Sequence, residues 1–140
     1  MFKVEEIFDK DLKTNITLEI MNSLTKWLNP PEDIVKNSVI HREMPFFAVF
    51  NENDAVGFAV LKLHNEFTVE IYNLGVLEKY HRQCIGHAIL SAAERYCMEN
   101  GYRFITVKTL DSSARYEPYE GTRAFYFKNG FYPLEVFPLF

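Results

Sequence analysis

At 140 residues, 48% of them hydrophobic and 16% aromatic, the chain has the length and composition of one packed globular domain, not of a disordered protein. A formal charge of −4 and a pI near 5.6 argue against a general nucleic-acid binder, which carries a basic excess. Cys84 and Cys97 form neither a disulfide framework nor a CxxC zinc pair, no apolar run reaches membrane-spanning length, and the acidic start MFKVEEIFDKDL is unlike a signal peptide. The expectation is a cytoplasmic protein with no metal and no membrane or nucleic-acid partner.

In chain order, FKVEEIF (residues 2–8) alternates as a first strand. Asn15 is placed to cap a helix running to about Leu28, with Ile16, Ile20, Leu24, Trp27 and Leu28 at helical spacing. Pro30 and Pro31 stop it, and Pro31 opens a second short helix through Ile34 and Val35. FFAVFN (residues 46–51), the turn ENDA and VGFAVLKLH (residues 56–64) read as a hairpin. A third strand, FTVEIYNLGV (residues 67–76), follows after a tight turn at Asn65 and Glu66.

Ile85, Ile89, Ala92, Ala93, Tyr96 and Cys97 then mark one face of a helix over residues 85–99, stopped by Asn100 and Gly101. RFITVKTL (residues 103–110) is a strand rich in β-branched and aromatic residues. Pro118 starts a last helix to about Asn129 and Gly130, and FYPLEVF (residues 131–137) closes as a strand. The order β-α-α-β-β-β-α-β-α-β implies an α/β sandwich. Its sheet is mixed but mostly antiparallel, flanked by helices, with one right-handed parallel crossover from Phe67 to Leu110. With no internal repeat or linker, residues 1–140 read as a single domain.

The stretch VLEKYHRQCIGHAIL (residues 76–90) puts Lys79, His81, Arg82, His87 and Gly86 where a strand turns into a helix. A helix N-terminus leaves N–H groups unpaired and favours negative charge, so this loop reads as a cradle for phosphate or pyrophosphate. A basic surface turn is the plain alternative. Gly75, near the strand end, marks a bulge or close backbone contact, or only relieves packing.

These residues resemble the GNAT superfamily of N-acetyltransferases, over essentially the whole chain and most densely from Glu70 to Phe131. The family pattern, Arg/Gln-x-x-Gly-x-Gly/Ala entering the long helix, aligns with His81, Cys84 and Gly86. A rival register, Gln83-x-x-Gly86-x-Ala88, also fits but shifts the loop by two residues. In the first register Cys84 stands where glycine is usual, at a cost if that position needs positive φ. TRAFYFKNGFYPLEVF (residues 122–137) is similar to the family's terminal helix and strand, with Tyr126, Gly130 and Phe131 at the usual spacing. Tyr119 stands where the family often has asparagine, and Gly121 interrupts the helix.

What the resemblance implies is an acetyl-CoA-dependent N-acetyltransferase acting on a small-molecule or peptide amine. Backbone amides of Arg82, Gln83, Cys84, Ile85, Gly86, His87 and Ala88 would hold the pyrophosphate, and Leu74, Gly75 and Val76 would align the pantetheine. Tyr126 would protonate the leaving thiolate, or else is a helix tyrosine packing on the sheet. Glu70, matching a glutamate that serves as base in one branch, or water would deprotonate the amine. Period-two alternation puts Glu70 on one face with Tyr72, Leu74 and Val76, where desolvation raises a carboxyl pKa, or leaves it facing solvent. A CoA-binding module with little transfer activity is the alternative. The fold would lack the family's final strand, so an apolar edge of Phe131, Val136, Phe137, Leu139 and Phe140 is expected to recruit a second copy as a homodimer.

Overall fold

The computed structural model describes residues 1–24, 30–81, 83–109 and 117–135. The chain divides into two compact units, Met1–Val107 and Lys108–Phe140. The first unit opens with strand β1 (Phe2–Glu6) and helix α1 (Lys10–Ser23). Asp9, not Asn15, caps α1, its carboxylate accepting the Leu12 N–H at 3.0 Å. The buried face of α1 mixes Lys13 and Thr17 with Ile16, Ile20 and Met21, which is why apolar spacing missed its first turns. Lys13 buries its stem while Nζ donates to the Met44 carbonyl at 2.7 Å and the Arg42 carbonyl at 3.3 Å. The helix end expected at Trp27 and Leu28 falls outside the described residues.

Helix α2 (Pro31–Ile40) starts at Pro31 as expected but runs past Val35 into a 3-10 turn, His41–Glu43. Its buried face again carries polar residues, Ser38 and then His41, after Ile34. These are satisfied from α1 or locally: Thr14 donates to the Ser38 carbonyl at 3.1 Å, Ser38 to the Val35 carbonyl at 2.7 Å, and Thr17 Oγ1 meets His41 Nδ1 at 2.9 Å.

Strands β2 (Phe46–Asn51), β3 (Asp54–Leu63) and β4 (Thr68–Val76) continue the antiparallel sheet from β1, and β5 (Phe104–Val107) joins β4 in parallel through helix α3 (Ile85–Glu99). The five strands lie in sequence order, β1-β2-β3-β4-β5. This is the mixed, helix-flanked sheet read from the sequence. The β2–β3 turn is tighter than ENDA, because only Glu52 and Asn53 lie outside the ladder and Glu52 takes a positive φ of 55°.

Alternation assigns the two faces except at Val56, an extra residue of β3 between the Val49–Gly57 and Phe50–Ala55 pairs, which joins the face opposite Phe58 and Val60. Phe46, Ala48, Phe58 and Val60 pack with Ile16, Ile20, Leu24 and Ile34 under α1 and α2. Val49, Val56, Ala59 and Val76 pack with Ile85 and Ile89 of α3. Gly57 sets how closely α3 approaches: a Cβ there would lie 3.1 Å from both Ile85 and Ile89. The helix stops where expected, with Gly101 at φ 79° and the Tyr102 N–H on the Cys97 carbonyl at 2.8 Å.

Strand β5 ends at Val107, short of the expected residue 110, because its ladder partner Ile71 is the last residue before β4 shifts register. The second unit holds helix α4 (Glu117–Lys128), closed by Gly130 at φ 91° and by the Phe131 N–H donating to the Tyr126 carbonyl at 2.9 Å. The expected strand over residues 131–137 is absent from residues 131–135. Phe131 spends its N–H on the helix end, and Pro133 has none to offer a ladder. Val136, Phe137, Leu139 and Phe140, on which the expected dimer edge depends, lie outside the described residues, as does Leu110.

Candidate functional site

Strand β4 carries one residue too many for its partner. Val60 pairs with Asn73 and Leu61 with Ile71, so Tyr72 is an extra residue, a β-bulge. The bulge is therefore at Tyr72 and not at Gly75. Gly75 is instead a close-packing glycine: a Cβ there would meet Phe58 at 3.0 Å and Ile20 and Leu24 at 3.3 Å.

The extra residue reverses the phase of the strand. Up to the bulge, odd-numbered residues turn their backbone toward β5, as shown by the Phe67 carbonyl accepting the Arg103 and Phe104 N–H groups at 2.8 and 3.0 Å. Beyond it, the Leu77 N–H donates to the Val56 carbonyl at 2.9 Å. Counting back along an antiparallel ladder, Gly75 and Asn73 turn toward β3 while Leu74 and Val76 turn away. On that outward side β5 has already ended, and among the described residues no strand pairs with residues 72–76. The same extra residue splits the expected shared face. Leu74 and Val76 pack toward α3, whereas Tyr72 lies toward α2, its hydroxyl donating to Asn37 Oδ1 at 3.4 Å. Glu70 lies on the Tyr72 side with its ladder partner Lys62, whose Nζ sits 5.9 Å from the Tyr72 ring centre.

The side of β4 that no described strand pairs with runs directly into the loop before α3. A 3-10 turn, Glu78–Tyr80, carries the chain from Val76 toward α3. His81 is more than a surface histidine: its Nε2 donates to the Val76 carbonyl at 2.8 Å and ties the loop to the strand end. Cys84 is exposed, precedes α3 and has left-handed backbone with φ 62° and ψ 16°, the condition under which glycine is favoured. Its side chain caps nothing, and no acidic residue stands in the first turn, Ile85, Gly86 and His87. That turn has N–H groups for which a helix supplies no carbonyl, but Ala88 and Gln83, expected to join them, do not: the Ala88 N–H donates to the Cys84 carbonyl at 3.0 Å and the Gln83 N–H to the Tyr80 carbonyl at 3.4 Å. Arg82 lies outside the described residues.

Glu70 is buried, 4% exposed, and does not face solvent. Its Oε1 pairs with His64 Nε2 at 2.5 Å. Sequence reading missed His64, although the hairpin held the signal, since His64 stands two ladder steps from Glu70 across a short turn. It also missed His41, fully buried among the rings of Phe46, Phe58 and Tyr72. Burial drops the His41 pKa to about 4. No local motif points to this residue, because its partners are distant in sequence.

In the second unit Tyr126 is buried on α4, its ring 5.1 Å from Phe125 and 5.3 Å from Phe131. Desolvation raises its pKa above the ordinary phenol value, so the hydroxyl keeps its proton throughout the neutral range. Among the described residues no group of three or more His, Cys, Asp or Glu side chains could hold a metal ion, and no helix is long and apolar enough to cross a membrane.

The chain matches the family described as acetyltransferase (GNAT) over residues 8–131. No curated protein matches it. Solved structures share its fold. An aminoglycoside N-acetyltransferase, AAC(6')-Iy, in complex with CoA is 12% identical, covers 100% of this chain and 93% of its own, and has a TM-score of 0.74. The PaiA N-acetyltransferase of Thermoplasma acidophilum in complex with coenzyme A is 17% identical, with coverages of 97% and 92% and a TM-score of 0.77. An aminoglycoside acetyltransferase from an uncultured soil metagenomic sample, in complex with sisomicin, is 20% identical, with coverages of 99% and 93% and a TM-score of 0.73.

Proposed function

This chain belongs to the acetyltransferase (GNAT) family, enzymes whose acetyl donor is acetyl-CoA, and from that premise we propose that it acetylates a primary amine by direct attack within a ternary complex. The observation that carries this reading is the open side of β4 leading straight into the first turn of α3. The pantetheine arm is an extended chain with two amides, and the outward backbone groups of Leu74 and Val76 offer it the pairing that β5 does not reach. The pyrophosphate then falls to the N–H groups at the start of α3, from Cys84 to His87, where the helix dipole favours negative charge. The left-handed backbone at Cys84 supports the register that aligns Cys84 and Gly86 with the family's two glycines.

In the reaction the amine nitrogen attacks the thioester carbonyl carbon, its C–S bond breaks, and the acetyl group ends on nitrogen. A backbone N–H of residues 74–76 stabilises the developing oxyanion. The ammonium first loses a proton to the Glu70–His64 pair, directly or through water; the departing CoA thiolate takes one from the Tyr126 hydroxyl, and the second proton, shed by nitrogen as it becomes an amide, returns to Tyr126 through water. Most of the acceleration comes from holding two substrates in line, with no covalent enzyme intermediate. The acceptor is a small-molecule or peptide amine, and residues 1–140 act as one acetyltransferase domain.

The test is calorimetric titration with acetyl-CoA, followed by a thiol-release assay with spermidine, glucosamine, lysine, a free-amino-terminal peptide and sisomicin. Binding with thiol release for at least one amine is expected. Binding without release for any amine would reduce the chain to a CoA-binding module, and no binding would overturn the reading.

A further inference from the structure

The least exposed ionisable side chain among the described residues is His41, 0% exposed, and the proposed chemistry gives it no proton to move. Its two ring nitrogens are both used. Nδ1 lies 2.9 Å from Thr17 Oγ1 on α1, and Nε2 lies 3.3 Å from Asn73 Nδ2 on β4. An amide NH2 only donates, so Nε2 accepts, and the single ring proton sits on Nδ1 and is donated to Thr17. A neutral ring is what burial enforces here, since the pKa falls to about 4. The tautomer, the charge state and the two partners agree with one another.

Asn73 is the residue immediately after the bulge, and the bulge residue Tyr72 is anchored to α2, which runs into the 3-10 turn that carries His41. The Tyr72 hydroxyl donates to Asn37 Oδ1 at 3.4 Å, and its ring stands edge-on to His41 at 6.0 Å between centres. A bulge leaves its extra residue without a ladder partner, so the strand's own hydrogen bonds do not fix its geometry. The phase reversal that turns Leu74 and Val76 outward depends on that geometry. Resting on the acetyltransferase reading above, we propose that His41 is a positioning residue for acyl transfer: through Asn73 it locks the β4 bulge and thereby aims the outward backbone N–H groups at the thioester carbonyl.

The experiment reads that aim without needing the acceptor. Carbonyl-13C acetyl-CoA is bound to the full chain, and isotope-edited infrared difference spectroscopy records the thioester carbonyl stretch, which a hydrogen bond lowers. Wild type, His41→Leu, Asn73→Ala and His41→Gln are compared, with thermal melts confirming folding and titrations giving the Kd for CoA, which has no acetyl carbonyl. In His41→Leu and Asn73→Ala the stretch is expected to return toward its free value while CoA, held also at the start of α3, still binds, its Kd rising by no more than about tenfold through weaker pairing of the pantetheine with residues 74–76. His41→Gln, whose amide oxygen can accept from Asn73, should recover most of the lowered stretch. The double variant should be no worse than either single one, because the two residues act in one chain of contacts.

A lowered stretch that persists in folded Asn73→Ala overturns the proposal even if His41→Leu fails to fold. So does a lowered wild-type stretch that His41→Gln leaves no better restored than His41→Leu. Failure of wild type to bind CoA would instead overturn the acetyltransferase reading, and the inference with it.

Discussion

Replacing Cys84 by glycine should stabilise the protein, which is the opposite of what substitution by glycine does at most positions. Cys84 has φ 62° immediately before α3, and a residue with a Cβ pays about 1–2 kcal/mol to hold left-handed backbone. Glycine removes that strain but gives the unfolded chain more freedom, which costs about 0.4–1 kcal/mol. Because the thiol is exposed and caps nothing, no contact is lost to set against the gain. The difference is a net stabilisation of about 1 kcal/mol, equivalent to a rise in Tm of about 3–4 °C for a chain of this size. Urea denaturation of wild type, Cys84→Gly and Cys84→Ala measures it, with the slope of the transition held as a check that only stability has changed. Alanine keeps the Cβ and should stay within about 0.3 kcal/mol of wild type. If glycine were no more stable than wild type, or alanine matched glycine, the strain argument and the register it supports would both fail.

His41 makes stability depend on acidity: its pKa falls from about 6.5 in the unfolded chain to about 4 in the fold, so stability is complete above the unfolded value and is lost as pH falls from 6.5 toward 4, by up to about 3 kcal/mol. In His41→Gln that part of the pH dependence should vanish, the remaining ionisable groups cancelling in the difference; equal slopes for both proteins over pH 4–6.5 would refute it. Gly57→Ala should destabilise by about 1–3 kcal/mol through overpacking and weaken CoA binding, since the new Cβ lies 3.1 Å from Ile85 and Ile89 and pushes on the start of α3; unchanged CoA affinity would separate that packing from the cofactor site. Tyr126→Phe should lower kcat about 100-fold with little change in KM for acetyl-CoA. An unchanged kcat would leave the ring a packing role beside Phe125 and Phe131.

Where apolar residues alone define an element, the sequence made it legible. Helix α3 was readable to its ends because Ile85, Ile89, Ala93 and Cys97 keep one buried face and Gly101 stops it. Strand β2 was readable for the same reason. Helices α1 and α2 were misjudged where Lys13, Thr17, Ser38 and His41 occupy buried positions and find partners far away in sequence. The loop residues around Cys84 were visible because backbone chemistry at a strand-to-helix turn leaves a local signature. The bulge was not, since Tyr72 and Asn73 are neither glycine nor proline and the shift exists only in relation to Leu61. His64 and His41 belong to the same class: each acts through a partner that only folding brings near.

The extra residue at Tyr72 also lets β4 change length by one in a way its composition hides. Upstream of it the strand is an ordinary interior strand, paired on both sides; downstream, among the described residues, only β3 pairs with it. Removing a single residue between Ile71 and Leu74 would restore strict alternation without touching the composition of either half. With Tyr72 removed, Ile71 and Asn73 would stand as adjacent rungs opposite Leu61 and Val60, so Leu74, Gly75 and Val76 would keep their present partners in β3, and Gly75 its fit against Phe58. A one-residue deletion here would therefore remove the local bend of the bulge and the contacts of the residue lost, not the register of either half.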